Sequence, residues 1–367
     1  MENLNLIEIT SKAKIYRRHH CVLTLVIVVL FVLCLGFIIA DKVFIHFFQD
    51  HHHKEESIKL SGSSGVTWTI GGDEDNSVEI IDIGSSDDRK CKPIPNLTFR
   101  DKAYGAFGFL NEDGRPVVCC GRNENKCISW TGSEWQDHPT TASNDTRLEL
   151  PIYPGVALFD RETLWITGGK SVHSNATVPT SLFFKTKYGF APGPRLPESR
   201  FGHCLVSLSN SGDDNGEHSG HLLVGGKPFT KAVHIFSRGQ WYQQVPISNA
   251  RHGSACAKVN LDSGTSVVVV AGGYNLYGSS SDVDMFSLKT LEWTRGTTKL
   301  PFPLHYGAAV PRGNTFLILG GNGANGTRHK DILKYDPARN AWKLLGPRMA
   351  IPRVYFLAMS ISESQSC

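Results

Sequence analysis

Several features that would identify an enzyme or a nucleic-acid-binding protein are scarce or missing in this 367-residue sequence. Lysine and arginine outnumber aspartate and glutamate by only 38 to 34, and the body of the chain holds no stripe dense in basic residues. That balance gives no reason to expect a nucleic-acid partner. The Gly-x-Ser-x-Gly signature of serine hydrolases and the glycine-rich phosphate loop are also missing. The sequence therefore predicts no cofactor and favours binding over catalysis.

The composition that remains is typical of an all-β protein. Methionine is rare, with four residues, whereas the chain has 36 glycines, 18 prolines, seven tryptophans and many valines. Valine favours strands because its branched side chain packs well on a pleated surface, and glycine and proline mark turns. We therefore expect many short strands joined by turns.

One long apolar run interrupts this composition near the N-terminus. Residues 21–40, "CVLTLVIVVLFVLCLGFIIA", carry no charge, and twenty residues at a helical rise cover roughly 30 Å, the thickness of a bilayer core. Four basic residues precede the run and only Lys42 follows it within ten residues. The asymmetry predicts a signal anchor with a cytoplasmic tail at 1–20 and a juxtamembrane stalk at 41–64. The alternative is a signal peptide cleaved after Ala40.

Glycosylation sequons support an extracellular or luminal location for everything after the anchor. Four Asn-x-Thr triplets follow the apolar run. They begin at Asn96, Asn144, Asn175 and Asn325. Seven of the nine cysteines also lie beyond the run, where an oxidising compartment would let some of them pair.

Two disulfides are suggested around one cysteine-rich turn. Cys119 and Cys127 flank a predicted turn between antiparallel strands, so they are placed to face each other. Cys120 points to the opposite face of its strand and is placed to reach Cys91 instead. The sequence leaves the connectivity open.

The other cysteines receive different expectations. Cys204 and Cys256 lie in apolar strands, and we expect buried free thiols there. Cys367 ends the chain and is a candidate for linking two chains through a disulfide.

A repeat of about 48 residues organises the rest of the chain. Double-glycine positions recur at intervals of 47 to 49 residues, with one interval of 57 that contains the polar insertion "SNSGDDNGEHSG". These positions are Gly71-Gly72, Cys120-Gly121, Gly168-Gly169, Gly225-Gly226, Gly272-Gly273 and Gly320-Gly321. A strand that stops on two glycines needs a turn with positive φ or a close approach of a neighbouring backbone.

Each repeat predicts four strands. An inner strand is followed by a near-continuous apolar strand such as "SVVVVA", then the glycines, an alternating strand, and a fourth strand. A tryptophan opens that fourth strand in four repeats, at Trp135, Trp241, Trp293 and Trp342. Sheets buried at one edge and exposed at the other, repeated radially, make a β-propeller.

These residues resemble the Kelch repeat, in which a strand, a glycine pair, a strand and a tryptophan follow one another. The resemblance covers residues 65–362 and departs from the pattern at Cys120, which replaces the first glycine of the second repeat. It implies a six-bladed propeller. The late segment "RVYFLAMSI" has no glycine pair after it, so we expect this C-terminal strand to complete the first blade, leaving a tail at 363–367.

The resemblance also implies that partners bind the face carrying the glycine turns and the connections between blades. Residues of hot-spot type flank the inner strands and follow the glycine pairs on this face. The predicted partner-binding residues are Arg200, Phe201, Lys227, Phe229, Arg251, His252, Tyr274, Asn275, Tyr277, His305, Tyr306 and Arg353. For the arginines, the alternative is a structural role in bonding carbonyls at strand ends. The four sequons fall on the same face over blades one, two, three and six, so we expect a protein or glycan to dock on blades four and five.

Two other functions are compatible with such a ring. A copper radical oxidase resembling galactose oxidase would need a Cys–Tyr crosslink and clustered histidines, for which His203, His252 and His305 are the candidates. A cytosolic scaffold for actin or a ubiquitin ligase is the second alternative. Against the scaffold stand the membrane segment and the lack of an accompanying dimerisation or ligase-recruiting domain. The preferred hypothesis is a type II membrane glycoprotein that binds a partner without catalysis.

Overall fold

A computed structural model describes residues 66–362 except for 74, 84–92, 122–123, 139–148, 159–162, 172, 186–188, 209–219 and 262, and it leaves out the side chains at 120–125 and 296–297. The predicted anchor at 21–40, its flanks at 1–20 and 41–64, and the tail at 363–367 lie outside this part of the chain. Within the described residues, no helix has the length and apolar character to cross a membrane.

The described strands form six radial sheets and one small hairpin. The first blade begins with β1 (Val66–Ile70) and β2 (Val78–Ile81). The second blade contains β3 (Phe107–Leu110), β4 (Pro116–Gly121), β5 (Glu124–Trp130) and β6 (Trp135–Asp137), and the third contains β7 (Gly155–Leu158), β8 (Thr163–Thr167), β9 (Ser181–Lys185) and β10 (Gly189–Pro192). The fourth contains β11 (Cys204–Ser207), β12 (His221–Val224), β13 (Val233–Ser237) and β14 (Gln240–Gln243).

The remaining strands complete the ring. The fifth blade contains β15 (Ala255–Asn260), β16 (Ser266–Ala271), β19 (Asp282–Ser287) and β20 (Trp293–Lys299), with the hairpin β17 (Tyr274–Asn275) and β18 (Gly278–Ser279) between its second and third strands. The sixth contains β21 (Ala308–Arg312), β22 (Thr315–Leu319), β23 (Ile332–Asp336) and β24 (Ala341–Leu344). A 3-10 turn, Ala324–Gly326, lies between β22 and β23. The last strand is β25 (Leu357–Ile361).

The C-terminal strand closes the ring, as the sequence predicted. β25 pairs antiparallel with β1, from Val66 opposite Ile361 to Ile70 opposite Leu357. It occupies the inner position of the first blade, so the first and last segments of the propeller share one sheet. Hydrogen bonding across this seam removes two exposed strand edges.

The hydrophobic core is divided among the six blade interfaces. Six clusters of buried side chains each combine residues from two neighbouring blades. In the cluster between blades four and five, for example, Leu222 and Val224 pack with Val268 and Phe286. The second strands are buried along their length, as in β8 and β12, whereas the outer strand β14 is mostly exposed. This gradient is the predicted one.

Tryptophans at the outer strands fasten the connections between blades. The predicted positions lie in β6, β14, β20 and β24. Trp135, Trp241 and Trp293 each donate an indole N–H, over 2.8 to 3.0 Å, to a carbonyl in the segment that leads into their own blade. The repeated tryptophan therefore has both an apolar and a hydrogen-bonding role.

Two disulfides join described residues. Cys119 and Cys127 lie opposite each other on β4 and β5 with Cα atoms 4.0 Å apart, which confirms this predicted pair. The expectation of free thiols at Cys204 and Cys256 was wrong, because a disulfide joins them across the inner strands β11 and β15, with Cα atoms 6.1 Å apart. The side chain of Cys120, together with Cys91 and Cys367, lies outside the described part of the molecule.

Candidate interaction face

The glycine pairs are turns that the next blade approaches closely. Gly225 and Gly226 have φ of 62° and 113°, in the region that favours glycine. The N–H of Gly226 donates to the carbonyl of Arg251 in the next blade over 2.9 Å. A Cβ on Gly225 would lie 2.6 Å from that same carbonyl oxygen. Both reasons that the sequence suggested for the glycines are therefore present.

The three predicted arginines are buried and hold the glycine turns of their own blades. Arg200 donates to the carbonyl of Gly225 over 3.0 Å, and Arg353 donates to that of Gly71 over 2.7 Å. Arg251 donates to the carbonyl of Gly272 over 3.2 Å. The exposed fraction of each arginine is 2% or less. Their geometry is that of the structural alternative, so they support the face from below and do not form its surface.

Arg251 is buried together with the carboxylate that it pairs with. It also donates to the carbonyl of Asp282 over 3.2 Å and forms an ion pair with the carboxylate of Asp284, which is equally buried. Burial lowers the pKa of Arg251 to about 10 despite the neighbouring charge of Asp282. A guanidinium with that pKa remains charged at neutral pH.

A closed ring of backbone hydrogen bonds surrounds the propeller axis on this face. The residue two positions before each inner strand donates its N–H to the carbonyl of the equivalent residue in the preceding blade, over 2.7 to 3.4 Å. All six have φ between 52° and 68°. In chain order they are Gly105, Tyr153, Gly202, Gly253, Tyr306 and Tyr355. Tyrosine rarely adopts such a φ, so the ring contains three strained positions.

Tyrosine rings pack across the space inside this backbone ring. The centroids of Tyr306 and Tyr355 are 4.3 Å apart, and those of Tyr153 and Tyr355 are 5.2 Å apart. A Cβ on Gly253 would lie 3.0 Å from the Tyr306 ring, so glycine leaves the room that the tyrosine occupies. Burial raises the pKa of Tyr355 to about 12 and that of Tyr306 still further. Neutral, packed phenols therefore cover the centre of the face.

Outside this ring, a second circle of paired residues varies from blade to blade. In four blades, the residue that follows the glycine pair forms an antiparallel bridge with the residue that immediately precedes a member of the central ring in the sequence. The described pairs are Ile152 with Lys170, Phe201 with Lys227, His252 with Tyr274, and His305 with Asn322. The shared backbone fixes these positions while their side chains are free to differ, which suits a surface that determines specificity.

Three of these side chains, Phe201, His252 and Tyr274, form an aromatic strip with Phe229 over blades four and five. Phe201 and His252 are buried within the strip, whereas Tyr274 is exposed. The His252 ring lies 5.1 Å from Phe229, 5.7 Å from Tyr274 and 6.2 Å from Phe201, between centroids. Its Nδ1 is 2.7 Å from the hydroxyl of Tyr306, which joins the strip to the central ring. Burial and the charge of Lys227 lower the pKa of His252 to about 4, so this imidazole is neutral at physiological pH.

The hairpin of blade five stands at the outer end of the strip. Tyr274 pairs with Ser279, and Asn275 pairs with Gly278, leaving Leu276 and Tyr277 at the tip. Leu276 is 75% exposed and Tyr277 is 96% exposed. The Asn275 side chain accepts the N–H of Tyr277 over 2.8 Å and so shapes the turn. Within the described part of the chain, these are the two most exposed large apolar side chains.

The other predicted residues are distributed as follows. His305 is buried and lies 2.9 Å from the hydroxyl of Ser279, beneath the hairpin. Lys227 is exposed. The sequence prediction omitted Lys170 and Leu276, although each follows a glycine pair by one to three residues in the same way as the residues that it included. Position relative to the glycines was therefore the signal that could have found them.

The described sequons are accessible. Asn96, Asn175 and Asn325 are all exposed, and Asn144 falls outside the described residues. Asn175 and Asn325 both lie in turns after glycine pairs, on blades three and six.

The three histidines considered as copper ligands are not gathered into a site. His203 is buried with its Nε2 2.9 Å from the Thr167 hydroxyl, whereas His252 faces Tyr306. Among the described residues, no group of three or more His, Cys, Asp or Glu side chains has an arrangement that would hold a metal ion.

Part of the chain is similar in sequence to a Kelch-repeat protein. Over 133 residues, 32% of this chain, it is 30% identical to Kelch repeat and BTB domain-containing protein 12 of Danio rerio, and it spans only 20% of that protein's length. No protein-family model matches. The solved structure of YjhT superimposes with a TM-score of 0.56 at 16% identity, over 78% of this chain and 99% of that one. These findings show partial homology to a Kelch-repeat protein and a six-bladed propeller fold.

Proposed function

We propose that this chain is a non-catalytic binding protein, a single-pass type II membrane glycoprotein whose propeller presents the aromatic strip and the blade-five hairpin to a protein or glycan partner. The observation that carries the proposal is the exposure of Leu276 and Tyr277 beside Tyr274, the exposed ring at the end of the aromatic strip. Exposed apolar side chains that protrude beside a fixed aromatic patch are typical of binding hot spots.

The strip is held in place before any partner arrives. Arg251 fixes the carbonyl of Gly272 just before the hairpin, and His305 lies against Ser279 at its end. A surface that is already ordered loses little conformational entropy on binding. The rigid support therefore favours recognition through the hairpin.

Three features support the extracellular or luminal placement. The apolar run at 21–40 follows a basic segment, two disulfides join described cysteines, and three sequons are exposed. Disulfides persist in oxidising compartments and are rare in the cytosol. The name of the Danio rerio relative describes Kelch repeats and a BTB domain, and a propeller that serves as a binding module agrees with that description.

Site-specific photo-crosslinking in animal cells tests the binding surface. Full-length chains carry benzoylphenylalanine at position 277 or, as the control, at position 242, because Tyr242 is also exposed (45%) but lies on the outer strand β14. We expect a discrete crosslinked adduct from position 277 and none from position 242. Equal labelling from both positions would contradict a role for the hairpin.

Glycosidase treatment of the same full-length protein tests its placement. We expect N-glycosidase to shift its mobility, with a smaller shift after Asn96→Gln, Asn175→Gln or Asn325→Gln. If the protein with all four sequons intact shows no shift in mobility, its propeller lies in the cytosol, and the cytosolic scaffold becomes the better hypothesis.

A further inference from the structure

We propose that the partner is an acidic protein segment, whose carboxylates bind Lys170 and Lys227 while an apolar side chain of the same segment packs on Tyr274 and Leu276 at the exposed end of the aromatic strip. This inference rests on the proposed function and names the class of its partner. It extends the binding surface from the hairpin of blade five to the edge of blade three, where a glycan on Asn175 would border the lysine end of the surface and leave the Asn175 side-chain oxygen bonded to Lys170.

Two lysines on neighbouring blades form a pair of like charges. Lys170 and Lys227 each follow the glycine pair of their blade, and Phe201 lies between them. The Lys170 ammonium stands 4.6 Å above the centre of the Phe201 ring, and Phe201 forms the backbone bridge with Lys227. Burial, and then the charge of Lys227, lower the pKa of Lys170. The fold therefore holds two ammonium groups close enough to repel each other.

No carboxylate among the described residues neutralises this pair. Lys170 donates to the side-chain oxygen of Asn175 over 2.9 Å, which is an uncharged partner. Glu198, three residues before Phe201, is already paired with the guanidinium of Arg200 over 2.8 Å. Two like charges with no counter-charge are stabilised by an anionic ligand.

A chain of contacts through the buried rings of Phe201 and His252 links the lysine pair to the hairpin on the same face. From Lys170 the contacts pass to Phe201, then to His252 and Tyr274, with ring centroids 5.7 to 6.2 Å apart in the last two steps. A ligand on this surface meets positive charge at the blade-three end and apolar side chains at the blade-five end. Because burial keeps His252 neutral at physiological pH, the middle of the strip adds no charge.

The apolar end favours a protein over an anionic glycan. Leu276 is aliphatic and 75% exposed, and a sugar ring offers it mainly hydroxyl groups. Protein hot spots instead pair apolar side chains with one another and place charges at the rim. An acidic segment that carries one large apolar residue complements both ends of the surface.

Peptide selection on the intact chain provides the test. Full-length protein in nanodiscs is panned with phage-displayed random 16-residue peptides, and selected peptides are measured by biolayer interferometry. We expect them to be rich in Asp and Glu, to carry a large apolar residue, and to bind the Lys170→Ala/Lys227→Ala variant about 2- to 30-fold more weakly, the range for two exposed ion pairs. The Lys170→Arg/Lys227→Arg variant keeps the charge and should retain most of the affinity.

A second lysine pair gives the matched control. Lys334 and Lys343 face each other across β23 and β24, and both are exposed on blade six. Replacing both with alanine removes the same charge from the chain, and we expect peptide affinity to change by less than 2-fold. An equal loss in both double variants would overturn the inference by showing non-specific attraction.

The remaining outcomes separate this inference from the proposed function. If the selected peptides bind the Tyr277→Ala variant more weakly but bind the Lys170 and Lys227 variants unchanged, the proposed binding face stands and the acidic character of its partner is refuted. Binding of heparin without selection of any peptide would replace the protein partner with an anionic glycan. Peptides that are indifferent to both sets of changes would refute the inference and the proposed function together.

Discussion

Replacing Arg251 with methionine tests the buried support of the interaction face. Methionine has a similar length, so the change removes charge and hydrogen bonds while leaving little new cavity. The guanidinium donates to the carbonyls of Gly272 and Asp282 and pairs with Asp284, whose carboxylate keeps only the Ser248 hydroxyl at 3.1 Å as its other described partner. Arg251 and Asp284 are each 2% exposed, so solvent does not replace the lost partner.

The expected loss follows from these contacts. Two buried carbonyls that lose a donor cost about 1 kcal/mol each, and a buried carboxylate without its cation adds about 2 to 3 kcal/mol, which gives about 4 to 5 kcal/mol in all. Urea unfolding of the full-length protein in micelles, followed by tryptophan fluorescence, measures this as a lower midpoint. Arg238→Ala, at an exposed turn, is the control and should change stability by less than about 0.5 kcal/mol.

A second substitution distinguishes the lost ion pair from a general packing defect. Arg251→Met combined with Asp284→Leu removes both charges, and it should be more stable than Arg251→Met alone because no unpaired carboxylate remains. If Arg251→Met lowers the free energy of unfolding by less than about 1 kcal/mol, the buried hydrogen bonds and ion pair of Arg251 do not stabilise the fold as the contacts predict. If the double variant is the weaker of the two, the loss does not come from Asp284.

Two further predictions concern the same part of the ring. Replacing Cys204 and Cys256 together with alanine should lower the free energy of unfolding by roughly 4 kcal/mol, because that disulfide closes a loop of 52 residues. Replacing Cys119 and Cys127, which close a loop of 8 residues, should lower it by roughly 2.5 kcal/mol. The same urea assay would contradict this reasoning if the second pair proved the more stabilising. Burial lowers the pKa of His203 to about 3 and that of His252 to about 4, from 6.5 for an unperturbed imidazole. Between these pH values the unfolded chain therefore binds protons that the folded chain does not. The contribution of these two histidines to stability should thus be present above pH 6.5 and fall by roughly 2 kcal/mol between pH 6 and pH 5, and His252→Gln should lose roughly 1 kcal/mol less over that interval. A flat profile would show that both imidazoles bind protons in the folded state as readily as in the unfolded chain.

The blade architecture was predictable because it depends on local pattern. Period, strand alternation and the tryptophan positions follow from chemistry that each repeat carries within about 48 residues. The polar start of the propeller and the unpartnered strand at its end were enough to predict closure through β25. The pairing of Cys119 with Cys127 was also local, since eight residues separate them.

Features between blades were harder to predict. The Cys204–Cys256 disulfide joins strands whose neighbours in the sequence give no sign of it, because the contact depends on how far two inner strands approach each other. The same is true of the central ring. Tyr153, Tyr306 and Tyr355 share a backbone conformation with Gly105, Gly202 and Gly253, yet tyrosine and glycine have no common side-chain property that would align them.

The arginines show why a residue type alone does not reveal its role. Arginine is frequent in binding hot spots, and it is equally suited to bonding several carbonyls at once in a buried turn. The sequence left both roles open for Arg200, Arg251 and Arg353, and their burial at 2% exposure or less places them beneath the surface.

That position still connects them to recognition. Arg251 holds the Gly272 carbonyl two residues before the hairpin that begins at Tyr274, and the Arg251 carbonyl accepts the N–H of Gly226, next to Lys227. One buried residue therefore fixes the turns that carry both the apolar end and part of the charged end of the proposed surface. Because ordering those turns in advance removes an entropic cost from binding, we expect the arginine to contribute to the affinity of the proposed surface without touching the partner. Loss of binding in an arginine variant is thus evidence about the support of this face, whereas the lysines and the hairpin tip report on the contact itself.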